Sequence, residues 1–208
     1  MQNKHIIINI GRQLGSGGHD IGRMLALDFN ANYYDRELLN LAAKESGLSE
    51  QFLEKNDEKK SFLRSLLHLS GGTASMVIGD RQSFSQDSFF QFQSDAIRKA
   101  ASEGNCVFVG RCADYVLRDF DNVVNVFITA SMDFRIEQIM AKQKFDTPHE
   151  ARKFIVHRES IRADYYNYYT GKKWGHATSY DLCIDSSILG LVETEKFIAE
   201  FIRKKFKL

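Results

Sequence analysis

The segment from Gly11 to Gly18 constrains the fold of this chain most, because it places four glycines within eight residues. It follows residues 5–10, a β-branched run typical of a strand buried on both faces. It precedes apolar residues at helical spacing, namely Ile21, Met24, Leu25 and Phe29. Glycines let backbone N–H groups approach an anion, and the start of a helix adds a positive dipole end. The pattern therefore predicts a phosphate-binding loop, although a merely tight strand-to-helix connection has the same signature.

Strand-like and helix-like segments alternate along the rest of the chain, which is typical of helices packed on a mainly parallel sheet. Buried strands are predicted at residues 106–109 and 123–128, with shorter candidates at 32–35 and 182–184. Helices are predicted at residues 88–102, 131–143 and 149–169, followed by a final helix with a basic end. The sequence therefore indicates an α/β protein.

Composition narrows the class of protein further. A chain of 208 residues with 43% hydrophobic and 26% charged residues is expected to form one globular domain. A net charge of +1 provides no overall field for nucleic acid or a membrane surface, and no apolar run approaches the ~20 residues of a membrane helix. We therefore expect a cytoplasmic protein without nucleic-acid or membrane partners. The three cysteines are expected to be reduced and buried.

The end of the glycine segment differs from a standard P-loop. That motif ends in Gly-Lys-Ser/Thr, where the lysine reaches the β- and γ-phosphates and the hydroxyl ligates magnesium. Here Gly18 stands where the lysine belongs, and His19 and Asp20 follow it. If the chain transfers phosphoryl groups, another cation must compensate, and Arg12, Arg23, Arg111 or an arginine further along the chain are candidates.

Four motifs in order resemble those of the cytidylate kinase-like family of P-loop nucleoside monophosphate kinases. They are the runs at residues 11–18 (GRQLGSGG), 34–38 (YDREL), 109–115 (VGRCADY) and 168–175 (YYTGKKWG), which together span nearly the whole chain. The resemblance implies a single three-layer P-loop kinase domain over residues 1–208, with a five-stranded parallel sheet flanked by helices. It also implies a helical monophosphate-binding insertion at about residues 36–87 and a lid at about residues 147–178.

The resemblance also assigns roles to residues. It implies that Gly15, Ser16, Gly17 and Gly18 bind the phosphates of ATP. Three further residues of the same segment are candidates for this site, namely Arg12, His19 and Asp20. The resemblance implies acceptor-nucleotide binding by Asp35, Arg36, Gly110 and Asp114, and catalytic guanidiniums at Arg111, Arg158 and Arg162. Mg²⁺ would accompany ATP, and Asp20 is a candidate ligand because His19 and Asp20 stand where the motif has its hydroxyl residues.

Several of these residues have alternative interpretations. Asp35 could cap the helix that begins at Arg36, and Arg111 could form a local ion pair with Asp114. Arg158 and Arg162 lie four apart on one helical face, where they could clamp phosphates or simply face solvent. The tyrosines at residues 165–169 could stack on a base or pack the lid on the core.

The sequence thus predicts ATP-dependent phosphoryl transfer to a nucleoside monophosphate, with CMP or dCMP favoured by the resemblance alone. Two alternatives stay open. The absence of lysine at Gly18 also suits a nucleotide-binding regulator without turnover, and the same fold could phosphorylate another small metabolite. The sequence leaves the oligomeric state open.

Overall fold

The computed structural model describes residues 5–35 and 86–208. The chain divides into two compact units, one comprising Met1–Glu37 and Ile97–Leu208 and the other Leu38–Ala96. Of the second unit, the structure describes residues 86–96, which form the first part of a helix. The predicted monophosphate-binding insertion falls almost wholly on residues 36–85, outside the described part of the chain, and stays a prediction.

Strands and helices alternate in the described residues, as the sequence pattern predicts. The strands are β1 (Ile7–Arg12), β2 (Asn32–Tyr34), β3 (Cys106–Val109), β4 (Val123–Thr129) and β5 (Leu182–Asp185). The helices are α1 (Gly18–Asp28), α2 (Gln86–Glu103), α3 (Ala113–Val116), α4 (Met132–Lys142), α5 (Pro148–Thr170) and α6 (Ser186–Phe206). A short 3-10 helix, Ala177–Ser179, precedes β5.

The five strands form one parallel sheet in the order β2-β3-β1-β4-β5. This arrangement confirms the predicted α/β fold with a five-stranded parallel sheet flanked by helices. The register pairs Ile10 of β1 with Val109 of β3 and with Val126 of β4. Because parallel strands end at the same edge, the segments after β1, β3 and β4 meet at the carboxyl edge, where ligands bind in open α/β sheets.

The central strands are buried because α1 and α6 cover one face of the sheet. Their apolar residues, such as Leu25 and Ile198, are fully buried against Ile8, Val107 and Val126 of the strands. Burial of such side chains contributes roughly 1.5–3 kcal/mol each. This core fixes the strand ends from which the loops at the carboxyl edge emerge.

Local capping sets where the later helices begin and end. Thr147 accepts a hydrogen bond from the Glu150 N–H at 3.3 Å, and Pro148 occupies the first turn of α5. The same helix ends at Gly171, whose φ of 66° lies in the left-handed region. The helix that carries the predicted lid arginines therefore has well-defined ends.

The cysteines are all free, as predicted, but only Cys106 and Cys112 are buried. Cys183 is exposed, so the expectation of burial was wrong there, because β5 lies at an edge of the sheet. None of the helices in the described ranges is long and apolar enough to cross a membrane.

Candidate functional site

The glycine-rich segment forms the loop between β1 and α1, at the carboxyl edge of the sheet. Gly15 has a φ of 85° and Gly17 a φ of 75°, both in the left-handed region. A Cβ at Gly15 would lie 2.7 Å from the carbonyl oxygen of Arg135, which belongs to α4. The path of the loop therefore depends on the absence of a side chain at Gly15.

The first turn of α1 leaves backbone N–H groups at the end of this loop. The first hydrogen bond of the helix joins the Ile21 N–H to the Gly17 carbonyl at 3.0 Å. The N–H groups of Gly18, His19 and Asp20 consequently have no acceptor within the helix. Together with the positive end of the helix dipole, they suit an anionic ligand such as a phosphate.

Hydrogen bonds from side chains hold the loop in shape from within. The buried Ser16 hydroxyl donates to the Gln13 carbonyl at 2.9 Å. The backbone carbonyl of Ser16 in turn accepts a hydrogen bond from the Ser186 hydroxyl at 2.8 Å. The Gln13 side-chain oxygen accepts from the Ala130 N–H at 3.2 Å, which ties the loop to the end of β4. Ser16 thus stabilises the loop through its hydroxyl.

Arg12, the last residue of β1, extends past two glycines. A Cβ added to Gly18 would lie 2.6 Å from the Cβ of Arg12. A Cβ added to Gly110, the residue after β3, would lie 2.1 Å from Nη1 of Arg12. Both distances are shorter than non-bonded atoms approach in proteins. The Arg12 side chain therefore occupies space that a side chain at either glycine would need.

Two further guanidiniums lie near Arg12. Burial, followed by the positive charges of Arg162 and Arg111, lowers the pKa of Arg12 to about 9, while Tyr33 and Asp35 act in the opposite direction. The group therefore stays protonated at neutral pH. Within residues 5–35 and 86–208, no carboxylate forms an ion pair with Arg12, and its Nε has no hydrogen-bond partner. Convergent cations of this kind are unfavourable unless an anion binds between them.

His19 holds the guanidinium of Arg12 from the side. Its Nε2 lies 3.1 Å from Nη2 of Arg12, and its Nδ1 lies 2.9 Å from the Tyr33 hydroxyl. Because a guanidinium can only donate, Nε2 accepts and Nδ1 carries the proton. Burial and the charge of Arg12 lower the pKa of His19 to about 4, so the imidazole is neutral near pH 7. His19 therefore adds no charge to the loop, and its ring orients Arg12.

The loop after β3 has an unusual backbone. Gly110, Arg111 and Cys112 have φ values of 82°, 62° and 55°, so three consecutive residues are left-handed. For the two non-glycine residues this conformation costs about 1 kcal/mol or more each. The guanidinium carbon of Arg111 lies 5.8 Å from the ring centroid of Tyr165 on α5. The strained backbone thus directs Arg111 towards the lid helix.

Asp114, in the first turn of α3, is buried and hydrogen-bonded. Its carboxylate accepts from the Tyr166 hydroxyl at 2.7 Å and lies 3.8 Å from Nζ of Lys172. Burial raises the pKa of Asp114, while the Tyr166 hydrogen bond and the Lys172 charge oppose that rise. The carboxylate therefore joins α3 to α5 and to the segment that follows. Its predicted contact with the acceptor nucleotide stays a prediction.

The two predicted lid arginines have different surroundings although they lie about one helical turn apart. Arg162 lies close enough to Arg12 for its charge to lower the Arg12 pKa. Arg158 lies against Phe154, with 5.2 Å between its guanidinium carbon and the ring centroid. Arg162 therefore belongs to the group of cations at the glycine loop, and the structure places Arg158 beside an aromatic ring.

A buried ion pair that the sequence reading missed connects α4, α5 and the loop. Nη1 of Arg135 lies 2.5 Å from Oε1 of Glu159, and the same oxygen accepts from the Leu14 N–H at 3.0 Å. Arg135 is only 5% exposed. An arginine one turn from Ile139, within the buried stripe of α4, was the local signal that could have indicated it. Glu159 thus anchors α5 directly to the glycine-rich loop.

Asp20, the candidate magnesium ligand, lies 2.9 Å from Nζ of Lys142 through its carboxylate. In the described ranges, no group of three or more His, Cys, Asp or Glu residues is arranged to hold a metal ion. Mg²⁺ in phosphoryl-transfer sites takes one or two protein oxygens and otherwise phosphate oxygens and water. A single carboxylate at the start of α1 fits that requirement, and the assignment of Asp20 stays a prediction.

The structure thus brings part of the predicted site together. Arg12, Arg111 and Arg162 converge near His19 and Asp35. Asp20, Asp114 and Arg158 lie near the loops but contact Lys142, Tyr166 and Phe154, respectively. Arg36 lies outside the described residues.

Comparison with known proteins identifies the family. The model of the cytidylate kinase-like family matches residues 7–188, which include the glycine loop, the loop after β3 and the lid helix. The chain belongs to this family. No curated protein matches the chain. The family match confirms the resemblance given by the four sequence motifs.

Solved structures similar to this member of the cytidylate kinase-like family share its fold over nearly the whole chain. An uncharacterized protein from Eubacterium ventriosum is 27% identical, with a TM-score of 0.71 and coverage of 95% of this chain and 98% of that one. Shikimate kinase from Bacteroides thetaiotaomicron has a TM-score of 0.52 at 14% identity, covering 98% and 99% of the two chains. A gluconokinase from Sinorhizobium meliloti has a TM-score of 0.51 at 11% identity, covering 99% and 98%. The fold is that of P-loop kinases, and family and fold support a small-molecule phosphotransferase.

Proposed function

We propose that this protein transfers the γ-phosphoryl group of ATP to a nucleoside monophosphate, with CMP or dCMP as the first acceptors to examine. The observation that carries the proposal is the convergence of Arg12, Arg111 and Arg162 at the glycine-built loop. Phosphoryl transfer requires mainly positioning and charge stabilisation, and several guanidiniums suffice for both. Membership of the cytidylate kinase-like family supports the same reaction.

On the donor side, the backbone N–H groups at the start of α1 bind the phosphates of ATP. Gly15, Ser16, Gly17 and Gly18 shape the loop that presents them. Arg12 supplies a positive charge next to these amides, and His19 keeps its guanidinium in place. This arrangement combines a fixed backbone cradle with one oriented cation.

At the transferred group, Arg111 and Arg162 approach from different elements. Arg111 comes from the strained loop after β3 and Arg162 from α5. Two guanidiniums on opposite sides of a phosphoryl group neutralise the charge spread over its equatorial oxygens. Arg158, one turn earlier on α5, is placed to join them if it leaves the Phe154 ring when substrate binds.

On the acceptor side, Asp35 and Gly110 lie beside this cluster, and Arg36 follows Asp35 in the chain. Asp114 supports that side by holding Tyr166 in the lid helix. The family supports a pyrimidine monophosphate as acceptor. Mg²⁺ bound with ATP would neutralise charge on the donor phosphates, with Asp20, in the first turn of α1, as its candidate protein ligand. Closure of the lid, residues 147–178, would exclude water and so suppress ATP hydrolysis.

The test is a coupled ADP-release assay with Mg²⁺ and ATP, run against CMP, dCMP, UMP, AMP and GMP. We expect CMP or dCMP to raise the rate about tenfold or more above the acceptor-free rate. Arg111→Gln should abolish most of that increase, whereas the surface variant Arg118→Gln should leave it intact. If no monophosphate raises the rate of ADP release, the proposal is wrong.

A second candidate is a kinase of another small metabolite. The observation that favours it is the likeness of the fold to shikimate kinase and to a gluconokinase. Shikimate and gluconate therefore belong in the acceptor panel. If one of them is phosphorylated and no monophosphate is, this second function replaces the first. Tight ATP binding without turnover of any acceptor would instead favour a regulatory nucleotide-binding protein.

A further inference from the structure

We propose that Arg12 replaces the missing P-loop lysine, that Gly18 is a glycine because the Arg12 side chain occupies the space beside it, and that the Arg12 guanidinium extends into the space beside Gly110. This inference rests on the proposed function in that it assumes a triphosphate at the glycine loop. It names the residue that supplies the cation, which the sequence leaves open among several arginines.

The geometry at Gly18 carries the first step. The Cβ of any side chain at this position would lie 2.6 Å from the Cβ and 2.8 Å from the Cγ of Arg12. Gly18 is not among the glycines with positive φ, so its backbone accepts a side chain and Arg12 alone opposes one. A lysine at position 18 and an arginine at position 12 therefore compete for one volume.

The geometry at Gly110 carries the second step. Its absent Cβ would lie 2.1 Å from Nη1 of Arg12, so the guanidinium reaches the turn after β3. The register that pairs Ile10 with Val109 sets this approach, because it places the end of β1 beside the start of that turn. Gly18 and Gly110, from separate segments, thus leave room for the stem and the guanidinium of Arg12.

The orientation of the guanidinium carries the third step. His19 accepts from Nη2 at 3.1 Å, and the Tyr33 hydroxyl lies 2.9 Å from the other ring nitrogen. Asp35 is the described carboxylate whose charge acts on Arg12, but it forms no ion pair with it, and the Arg12 Nε has no hydrogen-bond partner among the described residues. A partly exposed cation held by a neutral ring keeps its charge available to phosphate. His19 is therefore a positioning residue that acts through Arg12.

Arg23 and Arg111, two other arginines near the loop, have different contacts. Arg23 lies over the Tyr33 ring, with 5.5 Å between its guanidinium carbon and the centroid. Arg111 extends towards Tyr165 on α5. Arg12 is the arginine whose stem crosses the position of the missing lysine.

The first experiment measures ATP binding to the full chain by calorimetry, without any acceptor. We expect Arg12→Gln to weaken ATP binding about tenfold or more, and Arg118→Gln, on the surface, to leave it unchanged. Circular dichroism and thermal melting of each variant report whether it is folded. Unchanged ATP affinity in a folded Arg12→Gln variant overturns the proposal.

The second experiment is a rescue that a merely structural role of Arg12 would not produce. Gly18→Lys alone should lower ATP affinity, because the new side chain and Arg12 exclude each other. Combined with Arg12→Gly, which removes the Cβ and Cγ that a side chain at position 18 would meet at 2.6 and 2.8 Å, Gly18→Lys should bind ATP about tenfold more tightly than Arg12→Gly alone. The matched control is Arg12→Gly with Gly18→Met, because methionine has a similar length and no charge. Equal affinity of the lysine and methionine double variants overturns the proposal.

These measurements separate the inference from the proposed function. If the wild-type chain binds ATP but phosphorylates no monophosphate, while the rescue succeeds, the function fails and the role of Arg12 stands. If monophosphates are phosphorylated and Arg12→Gln binds ATP normally, the function stands and the role of Arg12 fails. Absence of ATP binding by the wild-type chain overturns both.

Discussion

The loops after β1 and β3 meet at the same edge of the sheet but are built in opposite ways. The first places its left-handed conformations at Gly15 and Gly17, where they cost little. The second places them at Arg111 and Cys112 as well as at Gly110, where two side chains are strained. The first loop offers backbone N–H groups and needs no side chain at its turns. The second loop carries this strain at the residue whose guanidinium we propose to act on the transferred phosphoryl group, so Arg111 is the residue at which the two loops can be compared.

The substitution Arg111→Gly should have the largest effect, and it tests whether the strained residue serves activity or the fold. Glycine adopts a φ of 62° without strain, so the free energy of unfolding should stay level or rise by up to about 1 kcal/mol. Loss of the guanidinium should lower kcat/KM for phosphoryl transfer by ~100-fold or more. Urea unfolding and steady-state kinetics on the same preparation measure both. A large loss of stability with unchanged kcat/KM would show that the strained residue serves the fold.

The corresponding change in the first loop is Gly15→Ala. The new Cβ meets the backbone of α4, with Arg135 O at 2.7 Å and Cα at 2.9 Å. Overpacking and the positive φ together should lower the free energy of unfolding by about 2–4 kcal/mol. Thermal and urea unfolding measure the loss. Gly104→Ala, where nothing lies within 4 Å of the added Cβ, is the matched control. Similar stabilities of the two variants would contradict the packed structure of the loop.

The first turns of α1 and α3, which follow the two loops, should also respond to pH in opposite directions. Burial and Arg12 lower the pKa of His19 from 6.5 to about 4. The unfolded chain therefore binds the proton first, and stability falls as pH drops from about 6.5 towards 4. Burial raises the pKa of Asp114 above 3.8, so its folded state binds the proton first, and that contribution is lost as pH rises above 3.8.

Unfolding free energies measured across this pH range should separate the two groups. His19→Gln should remove the decrease below pH 6.5, at about 1.4 kcal/mol per unit of pKa shift. Asp114→Asn should remove the opposite slope above pH 3.8. If both variants kept the pH profile of the wild-type chain, neither His19 nor Asp114 would have a shifted pKa in the folded state.

The smallest expected effect concerns the start of α1. Lys142→Met frees Asp20 from an exposed ion pair, so stability should change by less than about 1 kcal/mol. If Asp20 ligates Mg²⁺, the Mg²⁺ concentration at half-maximal activity should fall by about twofold to fivefold. The control is Lys196→Met, whose ion pair with Glu193 lies on α6. An unchanged Mg²⁺ requirement would remove Asp20 from the list of ligands.

The sequence predicts the sheet and the glycine loop because their signals are local. β-branched runs mark β1, β3 and β4, and four glycines mark the loop. The sequence does not distinguish Arg12 from the other candidate cations, because its position beside Gly110 depends on the register of β1 against β3.

The ion pair of Arg135 and Glu159 lies between two helices, 24 residues apart in sequence. No local sequence pattern predicts that these two residues pair, because each one fits the pattern of its own amphipathic helix. The left-handed backbone at Arg111 and Cys112 likewise has no signal in residue type, because both residues normally avoid it.

The bond between Glu159 and the Leu14 N–H sets the reference point for the lid helix. Arg162 follows Glu159 by three residues, about 4.5 Å along the helix axis. The distance of Arg162 from the glycine-rich loop is thus set within a single turn of α5. A movement of the chain beyond the end of α5 would leave Arg162 in place. Gly171 and Gly175, whose φ values are 66° and 71°, lie beyond this fixed turn. A lid that opens there would release a product without displacing Arg162 from the loop.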